Sequence, residues 1–121
     1  MAIKVYNMHL EDHNGDYNYY IGRKSPVGNP FTHIKDKDTL ADFVLDTREE
    51  CLEAYSRYFD MAYGRFEDFT NYIDQIYELY KRGEDVYLGC FCHPKPCHGD
   101  IIVDKLRARL IKEKLNSNPK N

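Results

Sequence analysis

The stretch Val86-Tyr87-Leu88-Gly89-Cys90-Phe91-Cys92-His93-Pro94-Lys95-Pro96-Cys97-His98-Gly99-Asp100 decides the fold. Its first half, Val86 to Cys92, is a continuous apolar run, as expected for a central strand covered on both faces. The prolines of the second half stop the strand. Ile101 to Leu115 then carries Ile102, Leu106 and Leu110 at helical spacing. A buried strand handing over to an amphipathic helix is a building block of α/β folds, and their ligands bind at the carboxyl ends of strands. The expectation is an α/β domain with its site in this loop.

The elements upstream agree. Gly83 is a suitable C′ residue for a helix from Phe66 to Arg82, whose apolar face is Phe69, Ile73, Ile76, Tyr77 and Tyr80. Gly64 separates it from a helix over Arg48 to Ala62, with Cys51, Leu52, Tyr55, Phe59 and Ala62 on one face. Thr47-Arg48-Glu49-Glu50 is a capping box, with threonine at the N-cap and glutamate at N3. Arg23 to Phe31 holds two prolines and a glycine and reads as irregular loop. Thr32 to Asp46 is ambiguous, with a short helical turn expected at Thr39 to Leu45. Tyr17 to Gly22 and Ile3 to Met8 read as strands, joined by a polar turn centred on Asn14-Gly15. They form a hairpin or are neighbours in a mixed sheet. The expected architecture is one α/β domain over residues 1–116 with a frayed tail at 117–121. It has a small sheet of mixed or parallel strands flanked by helices, with a Rossmann-like three-layer tendency.

The chain has 121 residues, enough for one modest core. Its net charge of −3 does not suit a nucleic-acid binder, which shows a basic face. Lys105, Arg107, Arg109, Lys112 and Lys114 read as the solvated face of the last helix. No apolar run reaches the ~20 residues that span a bilayer, and Met1 to Tyr6 is not a signal-peptide core. The expected location is cytoplasmic, with no membrane partner. The four cysteines are then expected to be thiols or metal ligands rather than disulfides. The 11 tyrosines suit half-buried core edges, a polar cleft or an interface.

Three chemistries fit the Cys90 to Asp100 loop. Zinc would draw on Cys90, Cys92, Cys97 and His93 or His98. The spacing is poor, because Cys90 and Cys92 on one strand share a face with Cα atoms roughly 6.6 Å apart. A nucleophile would be Cys97, its thiolate favoured by a helix N-terminus; the alternative is an inert buried cysteine. Anion binding would use the first turn at His98-Gly99-Asp100, with Gly99 admitting a ligand close to the main chain and His98 donating. Asp100 either stabilises the first turn or accepts from a sugar hydroxyl or base edge. Arg23 directly follows an expected strand, which places Arg23, Lys24 and Asn29 at the same sheet end. Arg48 opposes the helix dipole in its own first turn, so it serves either a site or the surface.

Tyr20-Ile21-Gly22-Arg23, Gly28-Asn29-Pro30-Phe31, Thr47-Arg48-Glu49 leading to Tyr55, Leu88-Gly89-Cys90-Phe91-Cys92 and Pro96-Cys97-His98-Gly99-Asp100-Ile101 occur in this order. In these blocks, spanning about residues 17 to 105, the chain resembles the DUF4326 family of small phage and bacterial proteins. Phe91 stands where the family often has Trp, and residues 32–46 form a longer connection than in many relatives. The resemblance implies that Arg23, Asn29, Arg48, Cys92, Cys97, His98 and Asp100 cluster, and it leaves their task open.

The leading functional expectation is a pocket for a nucleotide or nucleotide-derived phosphate ligand, formed by the loops 23–31 and 93–100. Arg23, Asn29, Arg48, Cys97, His98, Gly99 and Asp100 would bind. His98 and Asp100 would act if the ligand is hydrolysed or transferred. A phage accessory protein could instead sequester a nucleotide signal as an anti-defence device in the host cytoplasm. This reading needs no cofactor and leaves homo-oligomerisation open. The alternatives are a zinc or thiol module, and an inhibitor that binds a host protein through its tyrosine-rich surface.

Overall fold

The structure, a computed structural model, describes residues 2–13, 16–32 and 43–116. The elements in chain order are β1 (Ala2–Asn7), β2 (Tyr17–Tyr20), β3 (Phe31–Thr32), β4 (Phe43–Val44), α1 (Arg48–Ala62), α2 (Glu67–Lys81), β5 (Asp85–Cys90) and α3 (His98–Asn116). The fold is α/β, with parallel strands and three helices.

The apolar run is the middle strand of a sheet ordered β1-β5-β2. β1 pairs with it in parallel from Ala2↔Asp85 to Asn7↔Cys90, and β2 from Tyr17↔Val86 to Tyr20↔Gly89. Neither alternative for the first two strands, a hairpin or neighbouring places in a mixed sheet, is formed, because β5 lies between them and pairs with both in parallel. The most apolar strand takes the position where both of its backbone edges are paired. The Asn14-Gly15 turn lies outside the described residues. So does most of the expected helical turn at Thr39 to Leu45; its described end, Phe43–Val44, is a strand that pairs in parallel with Phe31–Thr32.

The register places Ile3 and Val5 beside Val86 and Leu88, with Tyr19 next to Leu88, on one face of the sheet. This face is the core floor. α2 packs on β5 and α3 on β1, while α1 packs on α3. The residues anticipated on α2 (Phe69, Ile73, Ile76, Tyr77, Tyr80) are all buried, as are Ile102, Leu106 and Leu110 of α3. Fully burying one such aliphatic side chain contributes about 1.5–3 kcal/mol. Tyr55 and Tyr77 have no exposed surface, deeper than core edges. The other face carries Tyr6 and Tyr87. There His13, from the connection between β1 and β2, stacks on Tyr87 at 3.9 Å and meets Tyr6 edge-on at 4.7 Å. A loop rather than a helix covers this side.

Thr47 caps α1, its Oγ1 accepting from the Glu50 N–H at 3.1 Å. Gly83, at φ 91°, ends α2 in a Schellman motif: its N–H donates to Tyr80 and that of Glu84 to Leu79. The basic run of α3 is only partly a solvated face. Lys105 bonds Asp60 of α1 at 3.0 Å, and Arg109 bonds Asp74 of α2 at 3.0 Å while lying 3.9 Å from the Tyr77 ring centre. These two cations stitch the helices together.

Candidate functional site

Parallel pairing puts the ends of β2 and β5 at the same sheet edge, and the loops that follow them meet there. The loop after β2 starts with the Ile21 N–H donating to the Gly89 carbonyl at 3.0 Å, which extends the ladder by one bond. It then doubles back so tightly that a Cβ on Gly28 would lie 2.8 Å from the Gly22 oxygen. Two helices hold it. Tyr55 of α1 donates its hydroxyl to the Val27 carbonyl at 2.7 Å, and His98 of α3 bonds the Ile21 carbonyl at 2.5 Å. The loop after β5 is fixed by Asn7, which donates to the Phe91 and His93 carbonyls, and by Arg48, which donates to the Pro96 carbonyl at 3.0 Å.

Between the loops and the first turn of α1 lies a cavity of about 430 Å³. Arg23, Asn29, Arg48, Cys97 and His98, all anticipated from the sequence, line it, and so does Cys92. Arg23 donates through Nη2 to the Phe31 carbonyl at 2.8 Å, while its Nε is buried without a partner. Asn29 receives the Phe31 N–H on Oδ1 at 2.9 Å. Among the described residues no carboxylate pairs with Arg23 or Arg48, and none lines the cavity. Two guanidiniums without a carboxylate partner among the described residues, in a partly enclosed space, favour anions.

His98 does not sit as a donor to a ligand. A carbonyl only accepts, so the Nε2 bonded to Ile21 carries the proton and Nδ1 is the acceptor nitrogen. Burial, reinforced by the nearby Arg23 charge, lowers its pKa to about 4. The ring is a neutral post that ties α3 to the Arg23 loop. Gly99 also has another task than the expected one. A Cβ there would lie 2.8 Å from Ile21 Cδ1 and 2.9 Å from Val5 Cγ1, so the glycine lets α3 approach the sheet. Asp100 is exposed and does not line the cavity; its Oδ2 accepts from the Cys97 N–H at 3.1 Å, the helix-stabilising alternative. Lys24 is exposed, at φ 75°.

The cysteines divide. Cys51 is buried in the α1 face. β5 ends at Cys90, so Cys92 lies beyond the strand and the shared face expected for the two is not formed. Cys90 and Cys97, both buried and both lining the cavity, have their sulfurs 3.8 Å apart. His93 is half-buried with Nδ1 unpartnered. Even so, no three His, Cys, Asp or Glu side chains among the described residues converge to hold a metal ion. The zinc set Cys90, Cys92, Cys97 and His93 does not fit one.

The sequence matches the family described as Domain of unknown function (DUF4326) over residues 6–108. The chain belongs to the DUF4326 family. The resemblance carried by the motifs at Tyr20, Gly28, Thr47, Leu88 and Pro96 is therefore a family relationship. Six of the residues it groups line one cavity, and Asp100 stands outside. No curated protein and no solved structure matches the chain. No helix among the described residues is long and apolar enough to cross a membrane.

The sequence reading passed over Phe91, Tyr20 and Phe31, whose rings also line the cavity. Phe91 is 49% exposed, an unusual position for a large ring at the end of a central strand. That exposure is invisible in an apolar run. The available signal was an aromatic residue placed just before an irregular loop.

Proposed function

We propose that the cleft binds a small nucleotide-like anion, its phosphate held by Arg23 and Arg48 and its base stacked on Phe91. The observation that carries this reading is the pair of guanidiniums, unpaired with any described carboxylate, in a cavity of about 430 Å³. A volume in this range is typical of small-molecule sites. Arginine forks suit phosphate oxygens, and Arg23 Nε is a buried donor lacking an acceptor. The aromatic rim supports a nucleoside over bare phosphate, since every base offers a π-face. Asn29 and Thr32 add polar groups to the wall.

The chemistry of the wall favours holding the ligand over turning it over. The described lining offers no carboxylate, and His98 is neutral with its Nε2 engaged. A protein that retains a nucleotide signal unchanged withdraws it from solution, which is how an anti-defence role would operate. Titration calorimetry of the wild type against nucleoside mono-, di- and cyclic phosphates, with inorganic phosphate as control, tests the reading. We expect saturable binding of at least one nucleotide, tighter than phosphate. Absence of heat across the panel, with a folded protein by circular dichroism, overturns it.

A further inference from the structure

We propose that Cys90 and Cys97 are a redox-active dithiol that closes to a disulfide when a small hydroperoxide enters the cleft. The sulfurs are in contact at 3.8 Å, one at the end of β5 and the other on the residue preceding α3. A disulfide needs about 2.05 Å, so the two must close by under 2 Å. Neither residue lies inside a helix: Cys97 belongs to a loop and Cys90 is the last residue of its strand. Both line the cavity while being almost fully buried, at 1% and 2% exposure. Because both line the cavity, the cleft gives a small peroxide a route to them.

The surroundings make the pair unequal. Cys97 bonds Cys90, and the N–H groups of His93 and Cys92 also face the Cys90 sulfur; together they lower its pKa to about 6. The same bond, with burial, raises Cys97. As a thiol, Cys90 also contacts the Tyr6 carbonyl at 3.5 Å. The N–H groups of His93 and Cys92 beside its sulfur favour Cys90 as the attacking sulfur, with Cys97 resolving.

In the first step the Cys90 thiolate attacks the distal peroxide oxygen. The S–O bond forms, the O–O bond breaks, and the alkoxide takes up a proton and leaves as an alcohol (water, for hydrogen peroxide). The Cys97 sulfur then attacks the sulfenic sulfur. The S–S bond forms, and the hydroxide leaves with the Cys97 proton as water. Two thiols lose two electrons and the peroxide gains them. A small dithiol reverses the change by exchange. Cys51 and Cys92 have no sulfur partner of this kind among the described residues.

The test treats the full wild-type chain with hydrogen peroxide, alkylates the remaining thiols under denaturing conditions and maps the products by mass spectrometry. Chymotryptic cleavage after Phe91 separates the two cysteines. The expected result is a Cys90–Cys97 cross-link, with Cys51 and Cys92 alkylated and the link lost on adding dithiothreitol. Cys97→Ser should lose the link and yield a dimedone adduct at Cys90. Should that variant fail to fold, the wild-type map decides alone. Four alkylatable thiols after treatment, a link between another pair, overoxidised Cys90 without a link, or stoichiometric zinc that blocks oxidation each overturn the proposal.

Discussion

His98 Nε2 lies 2.5 Å from the carbonyl oxygen of Ile21, 77 residues earlier in the chain. This bond joins the first residue of α3 to the root of the loop that carries Arg23. Its edge-on contact with Tyr55, ring centres 5.1 Å apart, connects it to the hydroxyl that holds Val27. The post makes the site a product of three segments distant in sequence.

The post also gives stability a pH dependence. The folded His98 titrates at about 4, against the ordinary value near 6.5 of an unfolded chain. Between those values the unfolded state binds the extra proton, so stability falls as pH falls from about 6.5 to 4 and is unaffected by this group above 6.5. The loss amounts to about 3 kcal/mol. Urea denaturation of wild type and His98→Gln at pH 7 and pH 4.5 checks it. The wild type should lose more stability than the variant between the two pH values, and an equal loss would refute the assignment.

Arg23→Ala should weaken nucleotide binding by about 10- to 100-fold, the worth of one or two hydrogen bonds to a charged group. Arg23→Lys should recover only part of it, because an ammonium lacks the planar fork. Calorimetry at two salt concentrations reads both effects. An unchanged affinity in Arg23→Ala would remove phosphate from this side of the cleft.

Phe91→Ala should leave thermal stability nearly unchanged, because the ring is 49% exposed. It should lower nucleotide affinity by about tenfold, a base–aromatic stacking loss, and leave phosphate affinity unaltered. Phe91→Trp should retain nucleotide binding. Equal losses for nucleotide and phosphate would place the base elsewhere.

Gly99→Ala should destabilise the fold by about 1–3 kcal/mol, the range for overpacking a filled interior. The added methyl would meet Ile21 Cδ1 at 2.8 Å and Val5 Cγ1 at 2.9 Å, and the helix must retreat from the sheet. A thermal melt measures it. A variant as stable as the wild type would show that α3 can shift freely, contrary to its close approach to the sheet at Gly99.

Local chemistry was legible to the residue in places. The Thr47 N-cap, the five-residue apolar face of α2 and the Gly83 stop depend on neighbours within one or two turns, and all three stand in the structure. The membership of the cavity was also readable for Arg23, Asn29, Cys97 and His98, because strand-end loops in parallel sheets share an end, whereas Arg48, in the first turn of α1, was grouped with them only by the family resemblance. The pairing of β1 and β2 was not. Their sequences allow a hairpin, and only competition for the edges of β5 separates them.

The sequence by itself determined the helices, the identity of the central strand and the loops that would carry a site, because periodicity and capping are short-range properties. Only the tertiary structure decided what the site residues do. His98 became a neutral tie, Gly99 a contact surface and Asp100 a cap, since these roles depend on which carbonyl, side chain or N–H lies opposite. The contact between Cys90 and Cys97 arises in the same way, from a strand end and a helix start brought together by packing.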